Sequence, residues 1–187
     1  TLKNYQTKIS NSEVQSFEKA IEKAADYLQK HQRKNGSWIP LWFGNEHTEN
    51  HENPVYGTAR VVTYLQDAIT FLSSNSGLSE QLKSMTNAGI NYLLQAQNKD
   101  GSWGGDKNIS GTIEETSLAV AALLNSENKN SSQNGLDWLN EYFNKNGLVS
   151  APIGLYFASL WYDEKMYPLT AYLEAVSRAI EKDNTLA

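Results

Sequence analysis

The feature that most constrains this chain is a phrase it uses twice. QRKNGSW at 32–38 and QNKDGSW at 97–103 belong to one frame. Tyr27, Gln32, Gly36 and Trp38 recur at Tyr92, Gln97, Gly101 and Trp103, each displaced by 65 residues. Four positions held at one offset define an internal repeat, the mark of a fold that stacks one supersecondary unit on the next.

The sequence around each copy is helical. Val14, Phe17, Ile21, Ala24 and Leu28 precede the first copy at steps of three and four, which predicts one apolar face with Lys, Glu and Gln opposite. Asn11 or Ser12 can cap that helix, and Asn35-Gly36 supplies the turn after it. Downstream of each copy the character changes. Segment 58–73 is rich in Val, Leu, Ile and Phe, and every residue of LAVAALL at 118–124 is apolar, which predicts helices buried on more than one side.

Half-exposed helices at 13–31, 82–97 and 132–144 thus alternate with buried ones at 58–73, 115–125 and 154–163, and an amphipathic helix follows Pro168. No segment shows convincing period-two alternation. The expectation is an all-α fold: three outer/inner helical hairpins plus a terminal helix, in one domain spanning 1–187 with repeats near 24–38 and 88–103. A third copy is degenerate. Gly135, Trp138 and Leu139 match Gly89, Tyr92 and Leu93, but no Gln or Gly-x-Trp follows.

Composition removes several classes of function. The net charge is −5 with scattered Lys and Arg, against the clustered basic face that nucleic acid requires. Zero cysteines exclude disulfides, zinc-thiolate sites and thiol catalysis. No apolar run approaches the roughly 20 residues of a spanning helix. The chain opens on TLKNYQTKIS, without a signal core, and is expected to be a processed product or a cut piece.

Trp with Asp usually suggests a sugar site, but here the pairing recurs with the fold period. A large flat indole just after a turn can pin that turn on the preceding helix, and a Gln amide can satisfy groups at neighbouring helix ends. Gln32, Trp38, Gln97 and Trp103 are therefore expected to be structural, a clamp between helices.

The spacing Tyr-Leu-x3-Gln-x3-Gly-x-Trp at 27–38 and 92–103 resembles the QW repeat of the squalene and oxidosqualene cyclases. GSWIPLWFG with NPVYGTARVV (53–62), GTIEETSLAVAAL (111–123) and GLYFASLWYDEKMYPLTA (154–171) are similar to the C-terminal part of a bacterial squalene-hopene cyclase. The likeness runs from about residue 13 onward. It implies an α/α toroid, about half of an (α/α)6 barrel, whose inner helices line a terpene pocket. The activity implied is that of an isomerase without cofactor or metal: protonation of a polyprenyl or triterpene substrate, then ring closure through carbocations that aromatic faces stabilise by about 0.5–2 kcal/mol each.

Carried over by position, Trp42 resembles a pocket-lining tryptophan. Tyr56 resembles the tyrosine beside the catalytic acid and is a candidate proton relay. Tyr156 matches a cation-stabilising aromatic, and Trp161 is a further substrate-binding candidate, with core packing as the rival reading for both. Leu160 and Asp163 stand where hopene cyclases have tyrosines. The family's Asp-x-Asp-Asp acid is absent, since no two aspartates here lie within two residues of each other. The chain is therefore expected to be inactive alone and to need a second copy or a missing N-terminal half of the barrel. The resemblance implies a cytoplasmic location with peripheral membrane contact. The alternative from another class is a non-catalytic toroid module that binds a lipid or protein.

Two further groupings have plainer readings. His47 and His51 among Glu46, Glu49 and Glu52 could bind zinc if helical, but their Asn-rich, Pro-followed setting favours an exposed loop. Glu114 and Glu115 could be a glycosidase pair, but neighbours on a helix point about 100° apart. Capping of a helix N-terminus is the expectation for them.

Overall fold

The computed structural model describes residues 11–71, 76–155 and 160–186. Six helices carry the fold: α1 Asn11–His31, α2 Pro54–Phe71, α3 Ser76–Ala96, α4 Ile113–Leu123, α5 Lys129–Asn146 and α6 Met166–Leu186. A small antiparallel sheet joins β1 Phe43–Gly44, β2 Ala151–Leu155 and β3 Leu160–Glu164 in that order. The helices form three outer/inner pairs, α1/α2, α3/α4 and α5/α6, the first two as expected, as a segment of an α/α toroid.

Apolar content explains the layering. Every residue of α4 is buried, and it packs against α2 and α6 on either side and against α3 and α5. A helix without a polar stripe must be covered all round, and α4 is the centre of the core. The outer helix α3 lies mainly on α2 and α5 on α4, so each outer helix covers the inner helix of the preceding pair.

Two local expectations are corrected. The segment 154–163, expected as the third inner helix, instead supplies most of a β-hairpin, with Gly154 opposite Trp161 and Leu155 opposite Leu160. Gly154 sits where an added Cβ would lie 2.3 Å from the Trp161 ring, a close cross-strand approach that glycine permits. The third inner helix is α6, the segment read as a terminal helix. Its Pro168 falls in the first turn, where a missing N–H is harmless. The second correction concerns α1, whose buried line is Ile21, Ala25 and Leu28, while Phe17 and Ala24 face outward. Of the main helix contacts, α1 shares only that with α3, and this narrows its covered stripe.

The repeated phrase builds the same joint twice. Trp38 donates its indole N–H to Leu28 O at 2.8 Å and its backbone N–H to Thr58 Oγ1 at 3.0 Å. Trp103 does the same with Leu93 O and Thr116 Oγ1 at the same two distances. Each indole thus joins the end of its own outer helix to its own inner helix. Its far edge lies on a glycine of the next outer helix: a Cβ on Gly89 would stand 3.0 Å from Trp38 Cζ3, and one on Gly135 would stand 2.8 Å from Trp103 Cζ3.

The glutamine amides reach the same neighbours. Gln32 donates to Gly36 O and Met85 O at 2.9 and 3.0 Å, and Gln97 to Gly101 O and Ser131 O, both at 2.9 Å. Gly36 and Gly101 have φ of +90° and +92°, a region glycine enters freely. In the third pair, Gly135 receives an indole, but the chain after α5 sends none onward. A β-hairpin follows α5 instead.

Candidate active-site cavity

The inner helices meet around a cavity of about 200 Å³. Helical spacing sets its walls, because residues four apart share a face. Tyr56, Arg60 and Tyr64 come from α2, Glu114 and Leu118 from α4, and Tyr167, Ala171 and Glu174 from α6. A larger cleft, about 520 Å³, opens toward the outer loops and is lined mainly by amides and hydroxyls such as Asn87, Asn91, Asn125 and Ser126. It has no aromatic wall and one acidic side chain, Glu127.

The approach to Tyr56 is tightly built. Thr112 caps α4, its hydroxyl accepting the Glu115 N–H at 3.2 Å and donating to the Glu115 carboxylate in return, while the Thr112 N–H goes to Trp103 O at 3.1 Å. The other Glu115 oxygen accepts from Asn45 Nδ2 at 2.9 Å and Asn53 Nδ2 at 3.0 Å. Asn53 then turns its Oδ1 to the Tyr56 N–H at 3.0 Å. Glu115 therefore fixes the loop that starts α2. Above it the Phe43 ring stands 5.4 Å from Tyr56 and 6.1 Å from Tyr167. The strand β1 thus presents an aromatic edge to two cavity walls.

Charge inside the cavity is uneven. Arg60 donates to Glu174 at 3.1 Å and its guanidinium lies 5.5 Å from the Tyr64 ring centre, within cation–π range. Glu174 also accepts from Arg178 at 3.3 Å, and Arg178 pairs with Asp67. Glu114 is 5% exposed. Burial, reinforced by the charge of Glu115 and opposed by Arg60, pushes its carboxyl up to about 8. Burial, and next the charge of Glu114, also raises the Tyr56 phenol above its ordinary value.

Of the residues singled out in the sequence, Tyr56 lines this cavity. Trp42 is 54% exposed beside Phe43 and is absent from its walls. Trp161 packs edge-on against His51 at 5.2 Å, at the sheet. Tyr156 lies outside the described residues. His47 pairs with Glu46 at 3.5 Å while His51 meets Trp161, and among the described residues no group of ligating side chains is placed to hold a metal ion. Sequence reasoning missed Arg60, Tyr64, Tyr167 and Glu174 as wall residues, and Phe43 as the ring behind two of the walls. For α2 the signal was present in the Tyr56, Arg60, Tyr64 series at intervals of four.

Paired helices in two layers, with a partly aromatic cavity on the inner layer, define the class as an α/α toroid. The chain belongs to the squalene-hopene cyclase C-terminal domain family, whose model matches residues 6–153. Curated relatives include a copalyl diphosphate synthase of Streptomyces cyslabdanicus, 29% identical over 150 residues, and one of Streptomyces anulatus, 30% identical over 155 residues. The matches cover 80% and 82% of this chain but 24% of each relative, so the chain spans about a quarter of their length. Among the described residues no helix is long and apolar enough to cross a membrane.

Proposed function

We propose that this chain forms part of the cavity wall of a class II terpene cyclase, an isomerase that closes rings in a polyprenyl substrate after protonating it. The observation that supports this reading is the inner-face cavity, where Tyr56, Tyr64 and Tyr167 converge from two helices. Rings so placed attract a carbocation. Tyr56 is the proton relay and substrate contact of this reading, with Trp42, Tyr156 and Trp161 as further substrate contacts. The relatives' name places a diphosphate on their product, and squalene carries none, so the two substrate types are separable by assay. The chain has no paired aspartates and does not start the reaction by itself.

The test is incubation with squalene and with a polyprenyl diphosphate, first with the chain alone and then with a half-barrel carrying Asp-x-Asp-Asp. Chromatography should show no cyclised product in the first case and product in the second. Cyclised product from the chain alone would overturn the need for a separate acid.

Association follows from the last inner helix. Met166, Leu173 and Ile180 lie seven residues apart along one stripe of α6, and all three are exposed. Apolar stripes of this kind favour a partner. The partner of this reading is a second copy or the remainder of the barrel. Light scattering at micromolar concentration should give a mass above that of the monomer, reduced by Leu173→Glu with Ile180→Glu. A clean monomer for the unaltered chain counts against it.

A further inference from the structure

Two neighbouring carboxyls at the start of α4 have opposite surroundings. Glu115 is taken up by Asn45, Asn53 and Thr112. Glu114 faces the inner cavity at 5% exposure and, among the described residues, accepts no hydrogen bond. A carboxyl that is desolvated by its surroundings yet lines a cavity is placed to meet whatever enters it. It is also the kind of group that marks a site with a chemical task.

Cyclisation begun by adding a proton and ending in an isomer of the substrate must give a proton back. This inference rests on the cyclase reading above. The walls offer few bases: Arg60 is a cation, the phenols of Tyr56, Tyr64 and Tyr167 are weak acceptors, and Glu174 is engaged by both Arg60 and Arg178. We infer that Glu114 is the proton acceptor that ends the reaction. The C–H bond next to the cationic carbon breaks, its electron pair becomes the new C=C bond, and the proton passes to a Glu114 oxygen. The resulting carboxylic acid later loses that proton to water.

The environment suits acceptance better than donation. A carboxyl raised to about 8 by burial is a poor acid toward an alkene and a correspondingly good base. A cation arriving in the cavity draws it toward the ionised form. The groups that face it are Glu115 on its own helix, Tyr56, Arg60 and Tyr64 on α2, and Tyr167 and Glu174 on α6. Of these Arg60 favours the carboxylate, while Glu115 opposes it.

The first arm of the test uses the chain alone and a bicyclic tertiary ammonium, N-methyldecahydroquinolinium, as a mimic of the cation. Calorimetry should show binding that strengthens from pH 6 to pH 9, and Glu114→Gln should weaken it about tenfold and flatten the pH dependence. Binding of neutral decalin should be the same in both proteins, which checks that the cavity is intact. Equal ammonium affinity in the variant overturns the inference.

The second arm adds the Asp-x-Asp-Asp half-barrel and substrate. Glu114→Gln should lower olefin formation by about 10²-fold or more, the usual range for a lost acid–base group, and raise the share of water-quenched alcohol. Unchanged olefin from the variant overturns the inference while leaving the cyclase reading intact. No cyclised product from the unaltered pair overturns the cyclase reading, and the acceptor role with it.

Discussion

Glu114→Gln is expected to abolish a loss of stability that the unaltered chain suffers as the pH rises from about 5 to 8. The sign follows from proton linkage. The Glu114 carboxyl has an ordinary value of 4.5 and stands at about 8 in the folded chain. Between these values the unfolded chain has released the proton while the folded chain still holds it, so raising the pH favours unfolding. The stability is fully present below about 4.5 and the loss is complete above about 8.

The magnitude has a ceiling. A tenfold change in proton affinity is about 1.4 kcal/mol, which over this span gives at most about 5 kcal/mol, and relaxation of the cavity makes a few kcal/mol the expected loss. At roughly 2–4 °C per kcal/mol for a chain of this size, melting should fall by about 5–10 °C more in the unaltered chain than in the variant between pH 5 and pH 9. Thermal melts followed by circular dichroism measure this directly. Parallel curves for the two proteins would show that Glu114 is not held neutral.

The second large effect concerns the clamps, which should not be equal. Trp103 has no exposed surface and joins α3, α4 and α5, the helices that enclose the core. Trp103→Ala removes a buried indole, for which about 3–5 kcal/mol is usual. It also removes the indole N–H that Leu93 O accepts. Trp38 is nearly as buried, but it joins α1, and the main packing of α1 is on α3 alone. Trp38→Ala should therefore act more locally, loosening α1 while the transition of the rest persists. Urea unfolding with hydrogen exchange separates the two: protection should be lost throughout α3–α5 in the first variant and chiefly in α1 and its turn in the second. Equal global losses would mean that α1 is as integral as α4.

The helical fold was legible because its joints are sequence-local. Gln97, Gly101 and Trp103 take their positions within one turn, so the spacing that names the joint is the spacing that builds it. The β-hairpin was not legible because its edge partner, Phe43–Gly44, lies more than a hundred residues earlier, and no local periodicity records such a pairing. Its aromatic run also imitates the apolar pattern of an inner helix.

The site was legible in part, through Tyr56. Glu114 and Glu115 read alike in sequence, two carboxyls at a helix start. What separates them is that Asn45 and Asn53 come from a distant loop to one and not to the other. The first helix misled for a related reason. Periodicity marks which residues could face inward, but the neighbour decides how wide the covered stripe is, and α1 has little beyond α3.

Each indole rests on a glycine that lies further along the chain, Trp38 on Gly89 and Trp103 on Gly135. During synthesis the ring therefore leaves the ribosome before its seat exists. One pair of helices cannot be locked until the next has been made, and the order of assembly runs with the order of translation. At α5 the series stops sending rings forward, and the hairpin that follows ties back to β1 instead. The hairpin thereby closes on a strand made more than a hundred residues before it, a joint that points backward along the chain where the indole joints point forward.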